Sequence, residues 1–205
     1  MRYLFFVFLS VISLQVSAQN TELGIGQWRE HLPFNRANSV SAGNGKIYCG
    51  SEAAFIEYDL NSDQITRHST VSGLSDIGIE VLKFNTYTNS LLVAYKNGNL
   101  DIVKGSVVTN IPAVKDANII GDKGVYNIRF EKELAYLSCG FGIVVVNMSR
   151  REVKDTYLIG KNSKPIHVND VFIANGNNQI IAATESGVIQ ANLDDNLSDF
   201  NSWSL

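Results

Sequence analysis

Cysteine, histidine and net positive charge are all scarce in this chain, and each shortage closes off a class of function. Two cysteines, Cys49 and Cys139, among 205 residues are too few for a disulfide scaffold. The three histidines, His31, His68 and His167, fall in separate segments, and no G-x-S-x-G elbow or H-E-x-x-H pair is present. Neither a nucleophilic triad nor a zinc hydrolase site is therefore written locally. The spacings of His, Cys and carboxylates give no metal ligand set, and no pair of acids stands out for glycoside hydrolysis. Seventeen Lys and Arg against twenty Asp and Glu leave a net charge of −3, which rules out a broad basic field for nucleic acid. Only Arg150-Arg151 and Lys161 with Lys164 come near to clustering, and they read as solvated turn charges. The expectation is a protein with no catalytic residue, no metal and no cofactor, whose ligand contacts are unknown from the sequence.

Long apolar runs are also missing, except at the start. Residues 1–18 carry one positive charge at Arg2, an apolar run from Leu4 to about Leu14, and small residues at Val16 and Ala18. This is the pattern of a secretory signal peptide cleaved after Ala18. Its apolar run is too short to persist as a membrane anchor, and no cysteine stands at the cleavage site to take a lipid. The chain is expected to be exported and either soluble or held at a surface.

Helical periodicity is the last absence, since no segment after residue 18 keeps apolar residues at i, i+3, i+4 and i+7 over three turns. In its place is a repeat. Turn positions Ala54, Gly98, Gly142 and Gly187, with large apolar residues six places upstream at Tyr48, Leu92, Tyr136 and Ile181, align four segments at spacings of 44 to 45. Each segment has a strand-length apolar run, a small or polar turn and a second run. That interval suits the four-stranded blades of a β-propeller and is too long for leucine-rich, ankyrin or tetratricopeptide repeats.

The fold class is therefore all-β: a partial β-propeller of about four blades of four antiparallel strands over residues 19–205, the front part of a larger, seven-bladed propeller. The blades span roughly residues 39–69, 79–111, 125–158 and 169–205. Strands are expected at 39–42, 46–49, 55–59 and 65–68, then 80–84, 90–95, 100–104 and 106–110. The third blade should have them at 127–130, 134–139, 143–147 and 152–158, and the fourth at 170–175, 179–184 and 188–192, with an outer strand from about Asn201. Pro112 should end pairing and open a connection over 113–124, whose Gly121-Asp122-Lys123-Gly124 turn lacks the spacing of a phosphate cradle. Trp28, in GQWREH, is read as an outer strand that helps close the ring, the alternative being a loosely ordered lead-in.

Several side chains invite a functional reading and receive a structural one. The oxygens of residues 59–63 begin like a calcium loop, but Gln64 and Thr70 stand where a glycine and a glutamate are required, so a polar hairpin turn is expected. Cys49 and Cys139, an intervening blade apart, read as buried thiols. His68 and His167 lie between blades, where solvent-facing or backbone-bonded histidines are common. Asp76 and Asp170, each just ahead of an inner strand, suggest one loop bond repeated per blade. Tyr87, Tyr126, Phe141 and Tyr157 are the aromatics that could face a sugar or protein.

The segments SGLSDIGIEVLKF and LLVAYKNGNLDIV resemble the blades of regulator-type propellers in exported bacterial sensors. GQWREHLPF, KIYCGSE, AYLSCGFGIVVVN with KDTYLIG, and AATESGV with DFNSWS are more specifically similar to the amino-terminal propeller of the PorZ family, surface components of the type IX secretion system. That resemblance implies a non-enzymatic protein at the outer-membrane surface, in the attachment complex with the sortase PorU, that binds anionic lipopolysaccharide and presents it to the sortase. The sensor resemblance implies the alternative, a periplasmic ligand-sensing propeller of a hybrid two-component regulator.

Overall fold

The computed structural model describes residues 36–204 together with Leu32 and Phe34. The expected signal peptide, the Trp28 strand and His31 lie outside the described residues. Among the described residues fifteen strands group into four separate antiparallel sheets rather than one continuous sandwich. The first sheet holds β1 (Ala37–Gly43), β2 (Lys46–Ser51), β3 (Phe55–Asp59) and β4 (Ile65–His68). The second holds β5 (Ile79–Asn85), β6 (Ser90–Tyr95), β7 (Leu100–Lys104) and β8 (Val107–Ile111). The third holds β9 (Val125–Glu131), β10 (Leu134–Cys139), β11 (Gly142–Asn147) and β12 (Glu152–Tyr157), and the fourth β13 (Val168–Ala174), β14 (Gln179–Thr184) and β15 (Gly187–Asn192). In each sheet the strands pair in sequence order, which is the meander of a propeller blade.

Alternation along the strands decides how the sheets stack. Tyr48 and Phe55 of the first sheet meet Leu82, Leu91, Val93 and Val103 of the second. The other face of the second sheet, with Leu92, Ala94, Leu100 and Ile102, packs on Ile128, Leu137, Val144 and Val146 of the third. Tyr136, Ile143 and Val145 on the far face of the third sheet then cover Val171, Ile180, Ala182 and Ile189 of the fourth. Both faces of the middle sheets are buried, so β6 and β11 read as nearly unbroken apolar runs. Each side chain so buried contributes about 1.5–3 kcal/mol. On the far face of the fourth sheet, Phe172 is 56% and Val188 59% exposed. Val188 is paired to Ala183 as Ile143 is to Ser138, and Ile143 is fully buried. The four sheets form a partial propeller rather than a closed ring.

The innermost strands β1, β5, β9 and β13 run side by side in that order. Every one of them carries a β-bulge at the same place, with Asn38, Glu80, Tyr126 and Asn169 each skipped in the pairing. A repeated bulge bends and twists each inner strand alike, so successive sheets rotate about a common axis. Polar side chains join these strands across the gaps. Ser39 Oγ accepts from Leu82 N at 3.0 Å and Ser41 Oγ from Phe84 N at 2.9 Å. Lys83 Nζ donates to Ile128 O at 2.8 Å, and Asn127 Nδ2 donates to Asp170 Oδ1 at 2.7 Å. Close approach also demands a glycine. A Cβ on Gly43 would stand 2.0 Å from the Phe84 ring, which stacks on Tyr48 at 5.4 Å.

Three details depart from the sequence reading. Among the described residues the outer edge of the fourth sheet begins to pair at Ser204 rather than at about Asn201. Asp199 Oδ1 accepts from Asn201 N and winds Phe200–Ser202 into a 3-10 turn, leaving a single bridge between Ser204 and Gln190. The connection after Pro112 contains one helical turn, α1 (Ala113–Asp116), whose Val114 is buried. The hairpin after β6 is one residue longer than its counterparts. Asn99, not Gly98, stands opposite Tyr95, as Ala54 does opposite Ser51 and Gly142 opposite Cys139.

Candidate functional site

Chain direction alternates within each sheet, so the β5–β6, β7–β8 and β11–β12 turns all fall at one end of the sheets. Between the second and third sheets they frame a cleft of about 320 Å³. Two of its walls are turns begun by asparagine. Asn85 Oδ1 accepts from Tyr87 N at 2.8 Å and Thr88 N at 3.2 Å, which turns Tyr87 outward, 66% exposed. Asn147 Oδ1 accepts from Ser149 N and Arg150 N in the same way, and Arg151 follows with φ at 60°. Lys104, the last residue of β7, closes the third side. Arg150 pairs with Glu152 at 2.9 Å, pointing its charge elsewhere, while Arg151 and Lys104 line the cleft. Hydroxyls of Thr88, Ser90, Thr109 and Ser149 complete the polar lining, and Ile102, Val107 and Met148 form the apolar part.

A second cleft, of about 340 Å³, lies on the fourth sheet among Ile159, Ile166, Ile189, Phe200 and Trp203. It is mainly apolar, and the Trp203 indole N–H donates to Leu197 O at 3.0 Å.

At the opposite end of the sheets the loops are tied down by a buried polar network. Asp101, fully buried, accepts from Tyr95 Oη at 2.6 Å, Ser75 N at 2.8 Å and Asn110 Nδ2 at 3.0 Å. Burial, followed by the bond to Asp101, pushes the Tyr95 pKa up. Next to this network, Asp76 accepts from Lys115 Nζ at 2.8 Å and Asn97 Nδ2 at 2.8 Å. Partial burial raises the Asp76 pKa, but these bonds and that from Ile77 N outweigh it and bring it to about 2. Tyr126 Oη donates to Asp122, which carries the Tyr126 pKa up to about 12, and its ring lies 4.3 Å from that of His167.

The side chains singled out in the sequence are therefore dispersed. Of the four aromatics, Tyr87 lines the polar cleft and Tyr126 is 39% exposed, whereas Phe141 and Tyr157 are core residues, 0% and 7% exposed. Both sit where one sheet packs on the next, so neither can face a ligand. Asp76 and Asp170 are not equivalent. Asp170 belongs to β13, just past the bulge, and receives Arg129 from the third sheet, while Asp76 precedes β5 and ties its loop to the β6–β7 hairpin at Asn97 and to α1 at Lys115. His68 is not at a solvent face either. Its ring stacks on Phe55 at 4.4 Å, its Nε2 stands 3.6 Å from Glu57, and burial holds its pKa down.

The backbone N–H of His167 donates to Glu185 Oε1 at 3.2 Å, and its carbonyl accepts from Glu185 N at 3.0 Å. Asp59 Oδ1 accepts from Asn61 N and Ser62 N, as a polar turn requires. Cys139 is buried and its thiol pKa is pushed up by burial, while Cys49 is only half-buried; both are free. Among the described residues no three His, Cys, Asp or Glu side chains gather as metal ligands, and no helix is long and apolar enough to cross a membrane.

Comparison with known proteins decides what this arrangement belongs to. The model of the PorZ N-terminal β-propeller domain of the type IX secretion system matches residues 47–204. This chain belongs to the PorZ propeller family. PorZ of Porphyromonas gingivalis, described as an essential bacterial surface component of the type-IX secretion system, superposes with a TM-score of 0.74 at 25% identity over 82% of this chain. The chain spans 22% of the length of that PorZ. The extracellular domain of BT4673 from B. thetaiotaomicron, ascribed to a hybrid two component system, superposes with a TM-score of 0.60 at 14% identity, over 80% of this chain and 21% of that one. A computationally designed protein, Ika4, gives 0.55 at 11% identity, over 75% of this chain and 88% of that one. These last two likenesses are of fold alone. No curated protein sequence matches.

Proposed function

We propose that this chain is a non-enzymatic binding and scaffold component of the type IX protein secretion system, exported to the outer-membrane surface. There it binds anionic lipopolysaccharide and presents it to the cell-surface sortase PorU. The observation that carries the reading is the match of residues 47–204 to the PorZ propeller family, supported by the superposition on a PorZ described as a surface component of that system. The architecture suits such a role. Rigid stacked sheets hold turns at both ends of the blades, and binding in folds of this kind rides on those turns.

The test is recovery of the full-length protein from outer membranes by an affinity tag. Co-recovery of PorU and lipopolysaccharide is the expected outcome, and a preparation free of both overturns the proposal. The second reading, a ligand-sensing propeller of a hybrid two-component regulator, draws on the fold shared with the BT4673 extracellular domain. It requires a membrane-spanning helix and a kinase in the same polypeptide, which sequencing the locus past Leu205 decides.

A further inference from the structure

The geometry points to the cleft between the second and third sheets as a binding site for an anionic saccharide, with Lys104 and Arg151 holding the acidic group and Tyr87 and the hydroxyls holding the sugar. Two cations converge on one cavity of about 320 Å³ whose lining contains no carboxylate. Five cations elsewhere among the described residues are paired with carboxylates: Lys46 with Glu57, Lys96 with Glu52, Lys115 with Asp76, Arg129 with Asp170 and Arg150 with Glu152. Among the described residues Lys104 and Arg151 have no acidic partner, although the neighbouring Arg150 does. A guanidinium and an ammonium facing the same space favour a phosphate or carboxylate, and the guanidinium can take either one with two hydrogen bonds.

The remainder of the lining identifies what carries that acid. Thr109 and Ser149 offer hydroxyls, each both donor and acceptor, beside Thr88 Oγ1 and Ser90 Oγ, which bond each other at 2.7 Å; such a lining matches the hydroxyls of a sugar better than the directional amides of a peptide. Tyr87 adds an exposed ring at the mouth, an amphipathic face with little side-chain entropy to lose. The supports are rigid, because both asparagine-begun turns have their backbone N–H groups satisfied before any ligand arrives. The cleft's chemistry is argued from its own residues; identifying its occupant with the saccharide of a lipopolysaccharide rests on the function proposed above.

The test uses the full-length protein and nuclear magnetic resonance titration with glucose 6-phosphate, with glucose, inorganic phosphate and tetraglutamate as separate arms. Glucose 6-phosphate is expected to shift the amides of Thr88, Lys104, Ser149 and Arg151 at lower concentration than either glucose or phosphate alone. Lys104→Glu and Arg151→Glu should each weaken it by about tenfold or more, as loss of a charge-assisted bond implies. Arg151→Lys should retain part of the affinity, and Arg150→Glu, outside the cleft, should change it little. Absence of shifts at these amides, an equal loss in Arg150→Glu, or tighter binding of tetraglutamate overturns the assignment. Purified lipopolysaccharide separates the two readings. If glucose 6-phosphate binds here and lipopolysaccharide does not bind at all, the cleft stands and the secretion reading fails. If lipopolysaccharide binds the Lys104→Glu and Arg151→Glu proteins as well as wild type, the cleft assignment fails alone.

Discussion

Replacing Tyr95 by phenylalanine removes one hydroxyl from the buried network that fastens the loop ahead of β5 to the second sheet. Asp101 then keeps two donors, Ser75 N at 2.8 Å and Asn110 Nδ2 at 3.0 Å, and loses the shortest of the three, Tyr95 Oη at 2.6 Å. Both side chains are fully buried, so no water replaces the lost bond. A buried carboxyl deprived of one donor costs about 2 kcal/mol. Asp101→Ala goes further, leaving Tyr95 Oη and Ser75 N without an acceptor, whereas Asn110 retains Asn99 Oδ1 and Leu100 O. Two unmatched buried donors imply a loss of about 3–5 kcal/mol, a large share of the roughly 5–15 kcal/mol that holds an ordinary domain together. Urea unfolding followed by circular dichroism measures both as shifts in midpoint at constant slope. Stacked sheets can open one at a time, so amide exchange at Ser75 is the local reporter, and it should accelerate in both variants. A Tyr95→Phe protein within 0.5 kcal/mol of wild type by roughly the usual error, with Ser75 protection unchanged, would refute the view that this network fixes the loop.

Acid should release Asp76. Its pKa falls from 3.8 in an unfolded chain to about 2 in the fold, so the stabilisation it brings is complete above the unfolded value and disappears as pH falls through the folded one. Lys115 is 42% exposed, so solvent screens the pair and the contribution is small. Thermal melts of wild type and Lys115→Ala should therefore differ at neutral pH and converge as pH drops from 3.8 towards about 2. Sheet stacking gives a second contrast. Ile143→Ala opens a cavity between the third and fourth sheets and should cost about 2–5 kcal/mol, whereas Val188→Ala, at the matching but exposed position, should cost under about 0.5 kcal/mol by the same urea assay.

Much of this fold is legible in the sequence because propeller strands are short, apolar and bounded by residues with strong turn preferences. Asn44-Gly45, with φ at 53° and 72°, is a two-residue hairpin that any reading of the chain places at a turn. Tyr48, Leu92, Tyr136 and Ile181 each occupy the third position of the second strand of their sheet, so the apolar alignment found the correct repeat. The bulges were not legible. Asn38, Glu80, Tyr126 and Asn169 share no chemistry, and what selects a bulge there is the packing of inner strands around an axis, which no local pattern encodes.

The same blindness made Asp76 and Asp170 look alike, although Asp76 lies four residues before the bulge of its strand, at Glu80, and Asp170 directly after its own, at Asn169, which separates a loop anchor from a rung between sheets. Phe141 and Tyr157 could not be told from Tyr87 by residue type, because only the stacking of the next sheet decides which aromatics are covered. The cleft itself was half visible. Arg150-Arg151 registered as a cluster, but that one of the pair has a carboxylate partner and the other faces a cavity depends on the positive φ of Arg151 and on the β7–β8 turn, 47 residues earlier in the chain at Lys104.

Attachment of secreted cargo to lipopolysaccharide, in cells whose full-length protein carries Lys104→Glu together with Arg151→Glu, tests the account most directly. The account predicts that the variant reaches the surface at normal abundance and that cargo leaves the cell without its lipopolysaccharide anchor. Cargo anchored in those cells as fully as in wild type would contradict it.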